Sequence, residues 1–425
     1  MSIDVAALGE AAVQGQGDSF AGCRLYSHFQ PIYSLAHRQA VAYEGLVRAT
    51  DGASRPVEPM ALFAMAPRGE RRIHLDRMCR RLHVENFQRF GEPRSWLFLN
   101  VDPYVAAEGP RHGSFLGPLL ERHGLAPERV AVELIEMAVE DEQRLASAVE
   151  YYRHLGCLIV IDDFGAGHSN FDRIWRLRPD VVKIDREMTR RVGVEPLARR
   201  MFTGIVQLMH EAGALVCVEG IETEAEALCA IDAGADLVQG HYFSRAAPEL
   251  PAEDDCRARF GHLFAGFRAE VAELQDRRHT SLRPYISALL SAGDYLAGGV
   301  AFDRAAKPLL DLDHVQRCYL IASDGSQIGA NLEAPRNADA RDPRLEPMLP
   351  GPGTNWQTKP YFRRALEAPG RIQITRPYMS ITGPKICVTL SLAFMVPGET
   401  QVLCADVDFA ALAGEDLAFG VMRRD

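Results

Sequence analysis

The chain has 425 residues, a formal net charge of −10 and a sequence pI near 5.8. Its hydrophobic fraction of 47% and charged fraction of 24% are ordinary for a soluble globular protein, and the length leaves room for two domains with separate cores. The negative net charge argues against a protein that coats nucleic acids or binds anionic membranes non-specifically. An anionic ligand would therefore need local cations or metal ions.

Cysteine usage and the distribution of apolar residues restrict the cellular compartment. The nine cysteines form no CxxC pair, and several lie inside apolar runs, as buried free thiols of a reducing cytosol do. The N-terminus lacks the basic start and apolar core of a signal peptide, and no later stretch is apolar enough to span a bilayer. We expect a cytoplasmic protein that neither binds DNA nor inserts into membranes, with residues 1–21 disordered.

The first ordered segment is predicted to be a β-hairpin. Residues 28–35 (HFQPIYSL) and 40–49 (AVAYEGLVRA) both have the composition of strands, and only a short gap separates them. A parallel return needs about 10 residues or more, so these two strands must be antiparallel.

The chain up to residue 250 then alternates between helices and strands. Helical patterns cover residues 60–65, 73–90, 115–123, 142–154, 171–176, 197–211 and 223–233. Strand patterns cover residues 95–103, 129–136, 157–163, 180–185, 214–222 and 236–244. Eight strands in this order predict a (β/α)8 TIM-like barrel over residues 22–250 with an antiparallel first strand; a doubly wound open sheet is the alternative.

Residues 251–290 are predicted to form a linker helix. Its apolar side chains recur at spacings of 4, 3, 4 and 3, which is typical of a heptad-like seam: Phe260, Phe264, Phe267, Val271 and Leu274. Such a seam either pairs two chains in a homodimer or packs an amphipathic helix on one of the domains.

Residues 291–425 are predicted to form a separate α+β domain. A hairpin is expected around Asp324 and Gly325, and three further strand patterns follow without intervening helices, as in an antiparallel sheet. Residues 332–358 are rich in Pro, Gly and Arg and are predicted to be a loop.

Polar side chains follow nearly every predicted barrel strand. They are Glu44, Asn100, Glu133, Glu136, Asp162, Asp163, Lys183, Asp185, Glu219, Glu222 and Gln239. Any one of these could be a solvated loop residue or a helix cap. Carboxyl ends of parallel strands meet at one face, however, and crowded carboxylates such as Asp162 and Asp163 are costly to hold together without a cation. Oxygen donors without Cys or His favour Mg²⁺ or Mn²⁺.

In order along the chain, these motifs resemble the signature set of the EAL-domain cyclic di-GMP phosphodiesterases. The resemblance extends over residues 22–245 and is carried by EGL at 44–46 with Arg48, Asn100, ELIE at 133–136, DDFG at 162–165, KID at 183–185, EGIE at 219–222 and QG at 239–240. It implies a (β/α)8-like barrel, two Mg²⁺ or Mn²⁺ ions, and hydrolysis of cyclic di-GMP to linear pGpG.

The resemblance also implies a role for each site residue. The metal ligands would be Glu44, Asn100, Glu133, Asp162, Asp163 and Glu219. The catalytic residues would be Glu219, Lys183 and Asp163. Substrate contacts would come from Arg48, Gln239, Leu46, Asp185 and Glu222. Glu136 would stabilise the loop at residues 164–170.

Four positions depart from the usual family pattern without removing a metal ligand. Gly45 replaces Ala, Ile135 replaces Thr, and His168 and Asn170 replace Tyr and Ser. These changes concern the rate of hydrolysis and its regulation more than the presence of activity. The alternative function is a receptor that binds cyclic di-GMP without hydrolysing it. Receptors of that kind usually lose a ligand, so we favour the enzyme. The chain contains no cyclase signature, and we expect it to degrade the messenger and not make it.

The C-terminal strands resemble those of Cache-type, PAS-related sensors over about residues 282–409. This resemblance implies a sensory domain that regulates the barrel within a homodimer and that binds a small molecule. We expect Arg376, Tyr378 and Asp406 to contact that ligand. A sheet that only dimerises or supports the barrel is the alternative.

Overall fold

The computed structural model describes residues 17–90, 94–108, 114–135, 142–166, 171–250, 254–335, 353–379 and 386–409. The chain divides into two compact units, Met1–Phe267 and Arg268–Asp425. Within the described ranges, no helix is long and apolar enough to cross a membrane. The eight cysteines with described side chains are buried thiols, as the apolar runs around several of them predict.

The first unit contains a closed barrel. Its strands are β1 (Asp18–Phe20), β2 (Cys23–Ser34), β3 (Gln39–Thr50), β4 (Pro56–Val57), β5 (Trp96–Val101), β6 (Val130–Ile135), β7 (Leu158–Phe164), β8 (Val181–Ile184), β9 (Leu215–Val218) and β10 (Leu237–Val238). Hydrogen bonding runs in the order β2, β3, β5, β6, β7, β8, β9, β10 and back to β2. The predicted eight-stranded barrel is confirmed, and the open sheet is excluded.

Strand β2 is the antiparallel member of the ring. It pairs antiparallel with both β3 and β10, whereas the other ring pairs are parallel. The short connection between β2 and β3 leaves no room for a crossover helix, so the first strand must run against its neighbours. Strand β1 pairs with the start of β2. Residues 18–20 therefore belong to the sheet, although the sequence placed them in a disordered segment.

Helices surround the barrel at α1 (Pro59–Ala64), α2 (Glu70–Gln88), α3 (Pro103–Glu108), α4 (Leu116–His123), α5 (Glu142–Leu155), α6 (Phe171–Leu177), α7 (Arg186–Val194), α8 (Pro196–Glu211) and α9 (Glu224–Ala233). Seven of these match predicted helices, and α3 and α7 were not predicted. Asp185 caps helix α7, and its carboxylate accepts a hydrogen bond from the Glu187 backbone N–H at 2.8 Å. The sequence left a helix cap open as one role for each polar residue at a strand end, and Asp185 has that role.

Helix α10 (Asp254–Ala297) begins as part of the barrel core. Phe260 and Leu263 are fully buried, and the Phe260 ring stacks on Phe243 with ring centres 5.2 Å apart. Phe264 and Phe267 are partly buried against the same core. The first half of the proposed seam thus packs on a domain, and the Leu274 side chain lies outside the described set. The barrel core extends past residue 250 because these rings cover its apolar surface.

The second unit contains an antiparallel sheet and two further helices. Its elements are α11 (Phe302–Leu310), β11 (Val315–Ala322), β12 (Gln327–Glu333), α12 (Pro360–Glu367), β13 (Gln373–Ile374), β14 (Tyr378–Met379), β15 (Ile386–Val396) and β16 (Glu399–Asp408). The sheet order is β12, β11, β16, β15 and β13, with β14 also paired to β15. The predicted hairpin and antiparallel sheet are confirmed, while most of the predicted loop falls in residues 336–352, outside the described ranges.

Candidate metal centre at the carboxyl end of the barrel strands

Two layers of side chains fill the barrel, and the upper layer holds the candidate site. The lower layer is an apolar cluster with one buried residue from each ring strand: Ile32, Ala42, Phe98, Ala131, Val160, Val181, Cys217 and Leu237. Side chains two positions apart on a strand face the same side. Two residues onward along each parallel strand lie the members of what we call the polar ring: Glu44, Asn100, Glu133, Asp162, Lys183, Glu219 and Gln239.

The antiparallel strand contributes a position to this upper layer that the sequence analysis did not identify. On β2 the corresponding residue lies two positions before Ile32, because the strand runs in the opposite direction. This residue is Gln30, which pairs with Glu44 in the ladder and donates a hydrogen bond from Nε2 to the Ser244 carbonyl at 3.3 Å. Counting backwards along an antiparallel strand would have found it from the sequence.

Lys183 is the cation at the centre of the polar ring. Its Nζ atom lies 2.5 Å from Glu133 Oε1 and 3.2 Å from Glu44 Oε2. It also pairs with Glu219 Oε1 and lies 3.6 Å from Asp162 Oδ1. The lysine side chain is only 1% exposed, so these carboxylates replace the water that an ammonium group would otherwise require.

Glu44 is held from several sides. Asn100 Nδ2 donates to its Oε1 at 2.8 Å, and Gln239 Nε2 donates to its Oε2 at 2.8 Å. Gln239 was expected near a substrate phosphate or base edge, and the structure places its amide nitrogen on Glu44. These bonds and the Lys183 contact fix both oxygens of the carboxylate.

A bulge in β7 brings two adjacent carboxylates toward one site. Neighbouring residues on a regular strand point to opposite faces. The pairing of β7 with β8 shifts between Ile161 and Phe164, and Asp163 has a left-handed φ of 57°. Aspartate tolerates this conformation better than most residues. Oxygens from Asp162, Asp163 and Glu219 consequently lie within 4.8 Å of one another, close enough to share a metal ion.

Burial determines most of the pKa shifts in the polar ring. Burial and neighbouring carboxylates raise the pKa of Glu133 and Glu219 well above the ordinary glutamate value, although Lys183 opposes the rise. Burial, with Asp162 and Asp185 nearby, raises the pKa of Asp163 to about 6. One ammonium group is therefore too little positive charge for this cluster.

Glu44 shows the opposite shift. Burial alone would raise its pKa, but the Lys183 charge and the hydrogen bonds from Gln239 and Asn100 together hold the pKa below the ordinary value. Glu44 is thus prepared to stay ionised before any metal binds.

The donor set fits a pair of divalent cations. When all are ionised, the five carboxylates Glu44, Glu133, Asp162, Asp163 and Glu219 and the Lys183 ammonium leave four negative charges, which two divalent cations would neutralise. Glu133 Oε2 and Gln239 Oε1 are buried and have no hydrogen-bond partner among the described residues. Buried oxygens without partners are rare in proteins; metal coordination would satisfy Glu133 Oε2, and a ligand bound beside it would satisfy Gln239 Oε1. All the donors are oxygens, as Mg²⁺ and Mn²⁺ prefer.

The other predicted site residues lie around the polar ring or outside the described ranges. Leu46 and Arg48 are half-buried and continue the Glu44 face of β3, and Arg48 Nη1 donates to the Val47 carbonyl at 3.0 Å. Asp185 caps α7 as described above. Glu222 is exposed, and its backbone N–H donates to Glu226 Oε2 at 2.8 Å. Glu136, His168 and Asn170 fall outside the described residues, as does the Ile135 side chain.

Of the three expected ligand contacts of the second unit, Tyr378 and Asp406 are linked through Thr389. Asp406 is fully buried and accepts hydrogen bonds from Arg317 Nε at 2.7 Å and from Thr389 Oγ1 at 2.7 Å. Tyr378 is half-buried with its hydroxyl 2.6 Å from Thr389 Oγ1, while Arg376 is exposed. Arg317 was missed, since its partner lies 89 residues away in the sequence.

The charge balance of the polar ring generates a stability prediction. Lys183 is the one cation among the described residues of the polar ring, so in a chelator we expect Lys183→Met to lower the free energy of unfolding by about 3–5 kcal/mol. Saturating Mn²⁺ should shrink that loss, because the ions supply the missing charge. Urea denaturation with and without Mn²⁺ measures both values.

Lys307→Met is the matched control, because Lys307 is 71% exposed and pairs only at the surface with Asp311. It should change the free energy of unfolding by no more than about 0.5 kcal/mol in either condition. If Lys183→Met were equally destabilised in chelator and in Mn²⁺, metal ions would not share the charge of this cluster.

Known proteins resemble the chain over the barrel and, in one case, beyond it. It is 30% identical to the cyclic di-GMP phosphodiesterase RocR of Pseudomonas aeruginosa over 171 residues, which are 40% of this chain and 43% of RocR. It is 29% identical to an uncharacterised protein of Azorhizobium caulinodans over 52% of this chain and 31% of that protein. The chain thus covers less than half the length of these two relatives.

The uncharacterised EAL-domain protein YkuI of Bacillus subtilis resembles most of the chain. It is 26% identical over 353 residues, covering 79% of this chain and 82% of YkuI. The crystal structure of YkuI, solved with the substrate c-di-GMP and calcium, has a TM-score of 0.76 at 21% identity, with coverage of 93% of this chain and 97% of that chain. This likeness shows a common fold.

The family model of the EAL domain matches residues 14–246. This segment is more than half of the chain and contains every member of the polar ring. The chain therefore belongs to the EAL-domain family.

Proposed function

We propose that this protein is a metal-dependent phosphodiesterase that hydrolyses cyclic di-GMP to linear pGpG. The observation that carries the proposal is the polar ring, in which oxygen donors from successive strands converge around Lys183. RocR is named as a phosphodiesterase for this messenger, and YkuI was crystallised with it, which supports the same substrate here.

We assign two groups of metal ligands, drawn from the polar ring and the adjacent Asp163. Glu44, Asn100, Glu133 and Asp162 would hold one ion. Asp163 and Glu219 would hold a second, with Asp162 shared between the two. When bound, such ions polarise a phosphodiester and lower the pKa of a water molecule that attacks it. The 4.8 Å limit on the distances among oxygens of Asp162, Asp163 and Glu219 supports the second group.

Lys183 would stabilise negative charge in the reaction. Its burial alone would lower its pKa, but the surrounding carboxylates raise the pKa well above the usual lysine value. The side chain therefore stays an ammonium and cannot accept a proton. A fixed positive charge in a buried site stabilises the charge that develops on phosphate oxygens in the transition state.

Glu219 is our candidate for the proton acceptor. Of the four carboxylates that contact Lys183, its side chain is the most exposed, at 17%, against 10% for Glu44, 11% for Asp162 and 0% for Glu133. A base must reach a water molecule beside the substrate, so the most accessible carboxylate is the best placed. Asp163, whose pKa is raised to about 6, would assist at the same edge.

Substrate contacts would lie above the polar ring. The alternation of β3 places Leu46 and Arg48 on the same face as Glu44, beyond the metal ligands. A guanidinium at this position would bind a phosphate oxygen. Asp185, Glu222 and Gln239 complete the proposed substrate contacts at the neighbouring strand ends.

A cyclic di-GMP receptor without turnover is the second candidate function. It would use the same binding residues and would need a defect in the metal site. Among the described residues every assigned ligand is present, and Glu44 already accepts hydrogen bonds from Asn100 and Gln239. This arrangement favours the enzyme.

The second unit would regulate the barrel within a homodimer. It has its own apolar core, and Arg317, Asp406 and Thr389 form a buried polar network inside the sheet. A small molecule near Tyr378 could bias this unit between two arrangements. The exposed side chains of Trp175 and Met201 on α6 and α8 offer apolar surface that a second copy would cover.

Asp162→Asn tests the two-metal hypothesis. Because Asp162 would be shared by both ions, we expect hydrolysis of cyclic di-GMP with Mn²⁺ to fall below detection. Ca²⁺ should bind the unmodified protein without supporting turnover, because it accepts irregular coordination at longer distances. Nucleotide chromatography measures pGpG, and isothermal titration measures Ca²⁺ binding.

Asp303→Asn is the matched control, since Asp303 is exposed on α11. It should hydrolyse the messenger at the rate of the unmodified protein. Full activity of Asp162→Asn, or of the unmodified protein in a chelator, would contradict metal-dependent catalysis.

Arg48→Ala separates substrate binding from chemistry. Loss of a phosphate contact made equally in the ground and transition states should raise KM with little change in kcat. Arg48→Lys should recover only part of the affinity, because lysine cannot donate two parallel hydrogen bonds to a phosphate. Initial rates over a range of cyclic di-GMP concentrations give both constants, and an unchanged KM in Arg48→Ala would remove this residue from the substrate site.

Shortening the chain tests regulation by the second unit. The shortened protein should end after Phe267, because ending near residue 250 would remove Phe260 and Leu263 from the barrel core. We expect it to differ from the full chain in oligomeric state by light scattering and in initial rate across a metabolite screen. If the shortened protein is as dimeric as the full chain and equally active with every metabolite in the screen, the second unit does not regulate the barrel and only supports it.

A further inference from the structure

Gly45 lies beside the ligand Glu44 but faces the other side of β3. Because Glu44 points into the barrel, Gly45 points outward toward α2. A Cβ atom built on Gly45 would lie 2.8 Å from His83 Cγ, 3.0 Å from His83 Cβ and 3.1 Å from His83 Cδ2. Contacts under about 3 Å are too close for carbon atoms. The His83 ring occupies the space that an alanine methyl group would fill.

Backbone conformation does not account for this glycine. Gly45 lies inside a strand that pairs with Phe29 on one side and Leu99 on the other. It is not among the glycines with positive φ. Any residue can adopt this backbone, so the requirement for glycine arises from the His83 contact.

His83 is held firmly against the barrel. It is 4% exposed on α2, and its Nδ1 atom lies 2.8 Å from Ser27 Oγ on β2. Asn86 Nδ2 donates to the same Ser27 oxygen at 3.1 Å, so two side chains of α2 meet at this hydroxyl. The ring also meets Phe29 edge to face, with ring centres 6.3 Å apart. The imidazole therefore ties α2 to β2 while packing on the β3 backbone.

We propose that His83 is a positioning residue for Glu44 and that Gly45 provides the space its ring requires. The proposal rests on the proposed function, in which Glu44 is a metal ligand. A shift of a few tenths of an ångström at Gly45 would move the preceding residue, Glu44, relative to Asn100 and Lys183. Misplaced supporting groups commonly weaken metal sites by about 10- to 100-fold.

A cycle of four full-length proteins tests this pairing: the unmodified chain, Gly45→Ala, His83→Ala and the double variant. Mn²⁺ affinity is measured by isothermal titration without nucleotide, and the free energy of unfolding by urea denaturation. We expect Gly45→Ala to weaken Mn²⁺ binding by about 10-fold or more. The double variant should bind Mn²⁺ more tightly than Gly45→Ala, because the added methyl group then enters the space vacated by the ring.

Two matched controls accompany the cycle. Gly204→Ala adds a methyl group on α8 where nothing lies within 4 Å, and His154→Ala removes a ring that is 81% exposed. Both should keep the Mn²⁺ affinity of the unmodified chain. If Gly45→Ala binds Mn²⁺ like the unmodified chain, or if the single effects simply add in the double variant, the proposal is overturned.

The two readouts separate positioning from packing and from the proposed function. If the effects of the two substitutions on the free energy of unfolding do not add, but every variant keeps the Mn²⁺ affinity of the unmodified chain, His83 is a packing residue only. That result would overturn the proposal. If the effects on Mn²⁺ affinity do not add, but the unmodified chain does not hydrolyse cyclic di-GMP, the positioning role of His83 is supported and the proposed enzymatic function is contradicted. Absence of Mn²⁺ binding by the unmodified chain would overturn both.

Discussion

The site depends on a buried ammonium group that cannot by itself neutralise its surroundings. Lys183 contacts four carboxylates while only 1% exposed, and burial raises the pKa of Glu133 and Glu219 despite its charge. Removing ions from water is costly unless opposite charges compensate. In the proposed function, divalent cations supply the missing positive charge, and relief of this electrostatic cost would contribute to the free energy of metal binding.

The two-residue period of β-strands creates this arrangement. The apolar layer closes the barrel below, and the polar ring lies one step above it on every parallel strand. Irregular features then adjust individual groups. The β7 bulge brings Asp162 and Asp163 together, and the close contact of His83 with Gly45 supports the strand that carries Glu44. The regular strands thus place the polar ring at one level of the barrel, and local irregularities orient individual side chains within it.

The sequence predicted the barrel and its site because both follow from strand period and chain order. Lys183 and Glu219 could be placed near each other, since parallel strands end at one face. The bulge at Asp162 could not be predicted, because it depends on pairing with β8. Gln30 was missed because its strand runs in the opposite direction. The role of Phe260 was left open, because a 4-3 spacing suits a dimer seam and a packed helix equally. The contact between Gly45 and His83 is tertiary and leaves no local pattern.

The central claim is that the polar ring holds two divalent ions shared at Asp162. Crystals grown with Mn²⁺ and measured on both sides of the manganese absorption edge would test it directly. The account predicts two anomalous peaks inside the ring, roughly 3.5–4 Å apart, both within coordination distance of Asp162. Well-ordered crystals at saturating Mn²⁺ with no peak in the ring, or with peaks only at surface carboxylates, would contradict it.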